Sequence, residues 1–179
     1  MLRKNKGQIW IETVLYTLIG LALIGIVLAI ITPRINESKD RSIVEQSITT
    51  LNLIDSKINE VVEGGGGNVR NIDSLTLKRG ELYINASNNS ISIEISDLTS
   101  PYSQVGVAIN FGRTKVLTRE NGRYYSVKIS IEYGFDLKYD GTNNVKKFTS
   151  ASLPYRLSIE NIEDSGGNSY LHINEISGR

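Results

Sequence analysis

The chain changes its hydrophobic rhythm twice. Residues 9–32, IWIETVLYTLIGLALIGIVLAIIT, are almost unbroken in apolar character and hold one charge, Glu12. That is about the ~20 residues a helix needs to cross a bilayer. A cleavable secretory leader carries a shorter apolar core of ~7–15 residues, followed by a small-residue cleavage site. Here Pro33-Arg34 follows instead, so the segment is expected to be retained. Thr13, Thr17, Gly20 and Gly25 supply small surfaces along it, which suit close helix packing in a membrane. A plain signal anchor with incidental small residues would show the same run.

From residue 36 to residue 63 the apolar positions thin to one face. Ile43, Val44, Ile48, Leu51, Ile54, Ile58, Val61 and Val62 recur at three- and four-residue steps. Asp40, Arg41, Glu45, Asp55, Lys57 and Glu60 lie among the residues between them. The spacing predicts an amphipathic helix, continuous or nearly so with the apolar one. Pro33 has no N–H to bond back to Ala29 and predicts a mild kink. The two parts make roughly 55 helical residues, about 80 Å at ~1.5 Å per residue. Gly64-Gly65-Gly66-Gly67-Asn68 then ends the helix, because glycine accepts the left-handed conformation of a helix C-terminus. A phosphate-cradling loop is the functional alternative for this run, but no Gly-Lys-Ser/Thr follows and no strand precedes it.

Beyond Asn68 the period falls to two. Ile91, Ile93 and Ile95 alternate with Ser92, Glu94 and Ser96; Val105, Val107, Ile109 and Phe111 alternate with Gly106, Ala108 and Asn110. Tyr125, Val127, Ile129, Ile131 and Tyr133 form a third such ladder. Turn signals separate these runs and several shorter ones: Asn88-Asn89, Asn121-Gly122, Asp140-Gly141 and Gly166-Gly167-Asn168. The pattern predicts eight or nine short antiparallel strands, each half-buried. The fold class is therefore α+β, a long N-terminal helix followed by an antiparallel sheet or sandwich that covers the helix's apolar face.

Charge and composition narrow the chemistry. Twenty Lys and Arg against 19 Asp and Glu leave a net charge of +1, which argues against nucleic acid as the main partner. The charge is uneven, with Arg3, Lys4 and Lys6 all in the first seven residues. Cations on that side of an apolar helix predict a cytoplasmic N-terminus and an outward-facing remainder. With no Cys and one His, neither a disulfide nor a Cys-based metal site is available. His172 falls in a strand-like run beside Asn174 and reads as a solvated strand residue. No enzymatic constellation and no cofactor site is expected. Asn36-Glu37-Ser38, Asn85-Ala86-Ser87 and Asn88-Asn89-Ser90 are N-glycosylation sequons on the outward side.

The carboxylate inside the apolar run remains to be explained. The stretch Lys6-Gly7-Gln8-Ile9-Trp10-Ile11-Glu12 resembles the leader junction of type IV pilin-like proteins, in particular the archaeal class III signal peptides with a Lys-Gly-Gln core. The resemblance is specific over residues 4–32, general over the helix and architectural beyond it. It implies processing at Lys6, Gly7 and Gln8, with a membrane-embedded prepilin peptidase cutting between Gly7 and Gln8. Gln8 would become the first mature residue and Glu12 the fifth, where the family keeps a glutamate. Gln8 departs from the phenylalanine typical of bacterial major pilins. The implied organisation is a leader over 1–7, a transmembrane and filament-core helix over 8–33, and an amphipathic outer half over 34–63. A Gly-rich linker over 64–70 and an extracellular β-domain over 71–179 follow.

Physical chemistry gives the junction a reason of its own. Cutting removes three cations that hold the N-terminus at the cytoplasmic surface and creates an α-amine, cationic near neutral pH. A carboxylate in an apolar bundle is costly unless it is paired. In a helical homo-oligomer, Glu12 could meet the Gln8 amine of a neighbouring copy, as the family resemblance implies. Cyclisation of an N-terminal glutamine would remove that charge. Two other roles share these features: a minor, pseudopilin-like component of a secretion or uptake assembly, and an uncut single-pass anchor presenting a β-domain that binds a partner.

Overall fold

The structure, a computed structural model, describes residues 6–163 and 166–176, with side chains from Trp10 onward. It divides into two compact units, Met1–Lys39 and Asp40–Arg179. One helix, α1 (Lys6–Glu63), accounts for the described part of the first unit and opens the second. Pro33 lies inside it and does not interrupt it. The expected continuity of the apolar and amphipathic parts is seen as one helical element. Among the described side chains of α1, the first buried one is Asp40.

Within the second unit the buried positions of α1 are Asp40, Val44, Ser47, Leu51, Ile54, Ile58 and Val61. They alternate in steps of four and three, which keeps one stripe turned to the core. Leu53 and Val62 fall off that stripe and are exposed. The helix ends as the glycines predict. The Gly64 N–H donates to the Glu60 carbonyl at 3.2 Å and the Gly65 N–H to the Val62 carbonyl at 3.2 Å. Gly65 is left-handed, with φ +80°. The glycine run does not act as a free linker, however. The Gly67 N–H donates to the Asn161 carbonyl at 2.7 Å, and the first strand begins at Val69, inside the stretch expected as linker.

Among the described residues ten strands follow: β1 (Val69–Leu75), β2 (Glu81–Asn85), β3 (Ser90–Leu98), β4 (Ala108–Phe111), β5 (Thr114–Asn121), β6 (Tyr124–Glu132), β7 (Leu137–Tyr139), β8 (Val145–Thr149), β9 (Tyr155–Glu163) and β10 (Ser169–Glu175). They form two sheets, ordered β1-β9-β10-β7 and β4-β5-β6-β3-β2-β8. Pairing is antiparallel except for β10 with β7, where Leu171, His172 and Ile173 run parallel to Leu137, Lys138 and Tyr139. The architecture is therefore α+β with mixed rather than purely antiparallel sheets.

The period-two ladders become facing rows. Ile91, Ile93 and Ile95 of β3 lie opposite Ile131, Ile129 and Val127 of β6, and all six are buried. Leu82 and Ile84 of β2 extend the row on the other side of β3. Leu157, Ile159, Leu171 and Ile173 supply the second sheet's inner face. Each such side chain contributes roughly 1.5–3 kcal/mol by leaving water. The turn at Asp140-Gly141 has both residues left-handed, φ 48° and 71°. Tyr139 and Thr142 exchange N–H···O bonds of 3.0 and 2.9 Å across it, the two-residue hairpin such dipeptides favour.

The expected strand over 105–111 is shortened to β4. Gly106 takes φ +77° and the Val107 N–H turns back to the Gln104 carbonyl at 3.2 Å, which breaks the extension. Ile109 and Phe111 pair with Val116 and Thr114, so they share the core-facing row. They remain partly exposed because β4 is the edge strand.

Candidate functional site

The junction residues Lys6, Gly7 and Gln8 occupy the first turn of α1. The Gly7–Gln8 bond therefore lies in helical backbone, and an extended substrate at that bond requires the end turn to unwind. A glycine lowers the cost of unwinding there, since it is about 1 kcal/mol poorer than alanine in a helix. No acidic residue lies in the first turn. Glu12 is the seventh helical residue, in the second turn. A helix that begins at Gln8 brings the carboxylate to the edge of the first turn, where the macrodipole acts most strongly. Gln8 and Glu12 stand four residues apart, on one side of the helix.

Around and after Glu12 the apolar surface is open on all sides. Trp10 is 70% exposed, Tyr16 74%, Leu21 61% and Ile30 65%. The helix is long and apolar enough to cross a membrane. Two of its threonine hydroxyls are turned onto their own backbone, with Thr17 Oγ1 donating to the Thr13 carbonyl at 2.8 Å and Thr32 Oγ1 to the Leu28 carbonyl at 2.7 Å. Such back-bonding leaves little polar demand on that surface. A Cβ on Gly20 or Gly25 would meet nothing, so both glycines are open to a close neighbour.

The second unit holds two polar clusters that the sequence did not signal. Asp40 Oδ2 accepts the Thr99 N–H at 2.6 Å and the Thr99 hydroxyl at 2.7 Å. Its Oδ1 faces Arg79 Nη1 at 3.2 Å. Arg79 in turn donates to the Ser96 and Asp97 carbonyls at 2.8 and 2.6 Å. Asp40 thus ties the first turn of this unit to the bend after β3. The only sequence signal was its position four residues before Val44, on the apolar face.

The other cluster sits between α1 and the β4–β6 strands. Arg113 Nη1 lies 3.3 Å from Asp55 Oδ1 and donates to Asn59 Oδ1 at 2.8 Å. Its guanidinium covers the Tyr133 ring at 5.4 Å. Burial, then the neighbouring Asp55 charge, push the Tyr133 hydroxyl well above the ordinary phenol range. The hydroxyl approaches Asp55 without the geometry of a full hydrogen bond. Nearer the helix end, Lys57 and then Arg70 hold the Glu60 carboxyl below its ordinary value.

The remaining candidates are scattered. His172 lies in β10, half-buried, and its Nε2 accepts the Gly141 N–H at 3.1 Å, so it braces a turn as well as meeting solvent. Among the described residues no three His, Cys, Asp or Glu side chains are grouped to hold a metal. Asn36 lies within α1, Asn85 ends β2, and Asn88 closes a short 3-10 turn, Ala86–Asn88. Asn85 and Asn88 line one hollow on the outer face of the larger sheet, and Asn36 is remote from it in the chain. Comparison of the chain with protein-family models, with curated proteins and with solved structures finds no match.

Proposed function

We propose that this chain is a prepilin-type structural subunit of an extracellular, type IV pilus-like filament. It is inserted in the cytoplasmic membrane with its N-terminus inside, cut between Gly7 and Gln8, and assembled through the apolar part of α1. The observation that carries this reading is the circumferentially exposed apolar surface from Trp10 to Ile35, set directly behind a Lys-Gly-Gln junction. Lipid covers that surface before assembly, and neighbouring copies cover it afterwards. Removing the leader lets the helix leave the bilayer, and Glu12 then pairs with the new amine of a neighbour. An uncut chain has no such amine, which couples cutting to assembly.

Mass analysis of the native protein tests the reading. The expected N-terminus is Gln8, free or cyclised, in a filament fraction rich in this chain. Gly7→Val is expected to block cutting, and Glu12→Ala to leave a cut chain that does not assemble. A native chain that still begins at Met1 would overturn the proposal in favour of a permanent anchor.

A further inference from the structure

The geometry points to Asn88, alone among the three sequons, as the site of an N-linked glycan. The side chains of each sequon decide this. In an N-linked sequon the transferase must reach the asparagine amide and the hydroxyl two residues on. Asn36 and Ser38 are both in α1, where residues two apart do not share a face. At Asn85 both groups are engaged: Asn85 Oδ1 accepts the Asn88 N–H at 3.1 Å, and Ser87 Oγ donates to the Asn143 carbonyl at 2.7 Å. The residue between them, Ala86, is buried.

Asn88-Asn89-Ser90 is arranged the opposite way. Its middle residue is the anchored one. Asn89 is left-handed at φ 47°, its Oδ1 accepts the Leu137 N–H at 2.9 Å and its carbonyl accepts the Tyr133 N–H at 2.8 Å. That leaves Asn88 exposed and turns both Asn88 and Ser90 to the same hollow, about 410 Å³ in volume. Ser92, Ser130 and Glu132 line the hollow beside them and offer polar partners to the first sugar. In the transfer, Asn88 Nδ2 bonds to the anomeric carbon of a sugar carried on a lipid phosphate. The anomeric carbon–oxygen bond breaks with its electron pair on the departing lipid phosphate, and Nδ2 gives up one proton to the transferase or water. The inference rests on the proposed function only in placing residues 40–179 outside the cytoplasm.

Trypsin acting on protein from native cells releases residues 80–113 as one peptide, between Arg79 and Arg113. Fragment mass spectra of that peptide are expected to place a sugar mass on Asn88 with Asn85 bare, and the peptide of residues 35–39 is expected to show Asn36 bare. Ser90→Ala and Asn88→Gln should abolish the added mass, Ser90→Thr should keep it, and Ser87→Ala should leave it unchanged. A bare peptide, or a sugar on Asn85, in a chain that begins at Gln8 and lies at the cell surface overturns this inference alone. A bare peptide in an intracellular chain beginning at Met1 overturns it together with the proposed function.

Discussion

At the scale of single residues, ion pairs that look alike in sequence differ by what surrounds them. Asp40 and Asp73 each face an arginine, at 3.2 and 3.4 Å. The Asp40 side chain is 9% exposed and also satisfies the Thr99 N–H and hydroxyl, whereas the Asp73 side chain is 74% exposed. Removing Asp40 leaves the Thr99 N–H without its acceptor and the Arg79 guanidinium without its counter-charge, held only by two carbonyls, which costs about 2–4 kcal/mol. Removing Asp73 ends an exposed pair, a loss of less than ~1 kcal/mol. Urea unfolding followed by tyrosine near-ultraviolet circular dichroism measures both, since eight of the nine tyrosines lie in the second unit. Asp40→Ala is expected to lower the midpoint clearly and Asp73→Ala hardly at all. Equal effects would mean that burial does not set the strength of the Asp40 contact.

At the scale of elements, the apolar spacing within α1 separates residues that composition does not. Leu51 lies on the buried stripe with no exposure, and Leu53, two positions on, is 44% exposed. Leu51→Ala is expected to cost ~2–5 kcal/mol and Leu53→Ala to stay within about 0.5 kcal/mol, read from the same urea curves. A comparable loss at both would show that the stripe is wider than its spacing. The helix and the long ladders were legible in the sequence because period and burial agree there: Ile91, Ile93 and Ile95 alternate and are all buried. Two features were not legible. The parallel pairing of β7 with β10 depends on a chain return that leaves no periodic trace in a three-residue strand. The truncation of β4 depends on the backbone at Gly106, since the alternation of Val105, Val107, Ile109 and Phe111 continues unbroken through it. The site was legible in part. Glu12 stands out as the one charge in an apolar run, while Asp40 and Asp55 resemble solvated helix residues until their partners, distant in sequence, are known.

At the scale of the whole molecule, the two units differ in the surface they expose. Among the described residues, the buried apolar side chains lie between Val44 and Ile173, in the second unit. A fragment beginning at Ile35 retains Asp40 with its Arg79 and Thr99 partners, the whole buried stripe of α1 and both sheets. It is expected to fold cooperatively in water without detergent, with a urea midpoint close to that of the second unit in the full chain. The full chain should need detergent or lipid, because about two turns of exposed apolar helix already exceed the few hundred Å² of contiguous patch that soluble monomers tolerate. If the fragment is unfolded or aggregates while the detergent-held chain is folded, residues 1–34 stabilise the β-unit directly and the division of labour fails. If it folds, the apolar helix is free to exchange lipid for protein neighbours without disturbing the domain it carries, as the proposed assembly from the membrane requires.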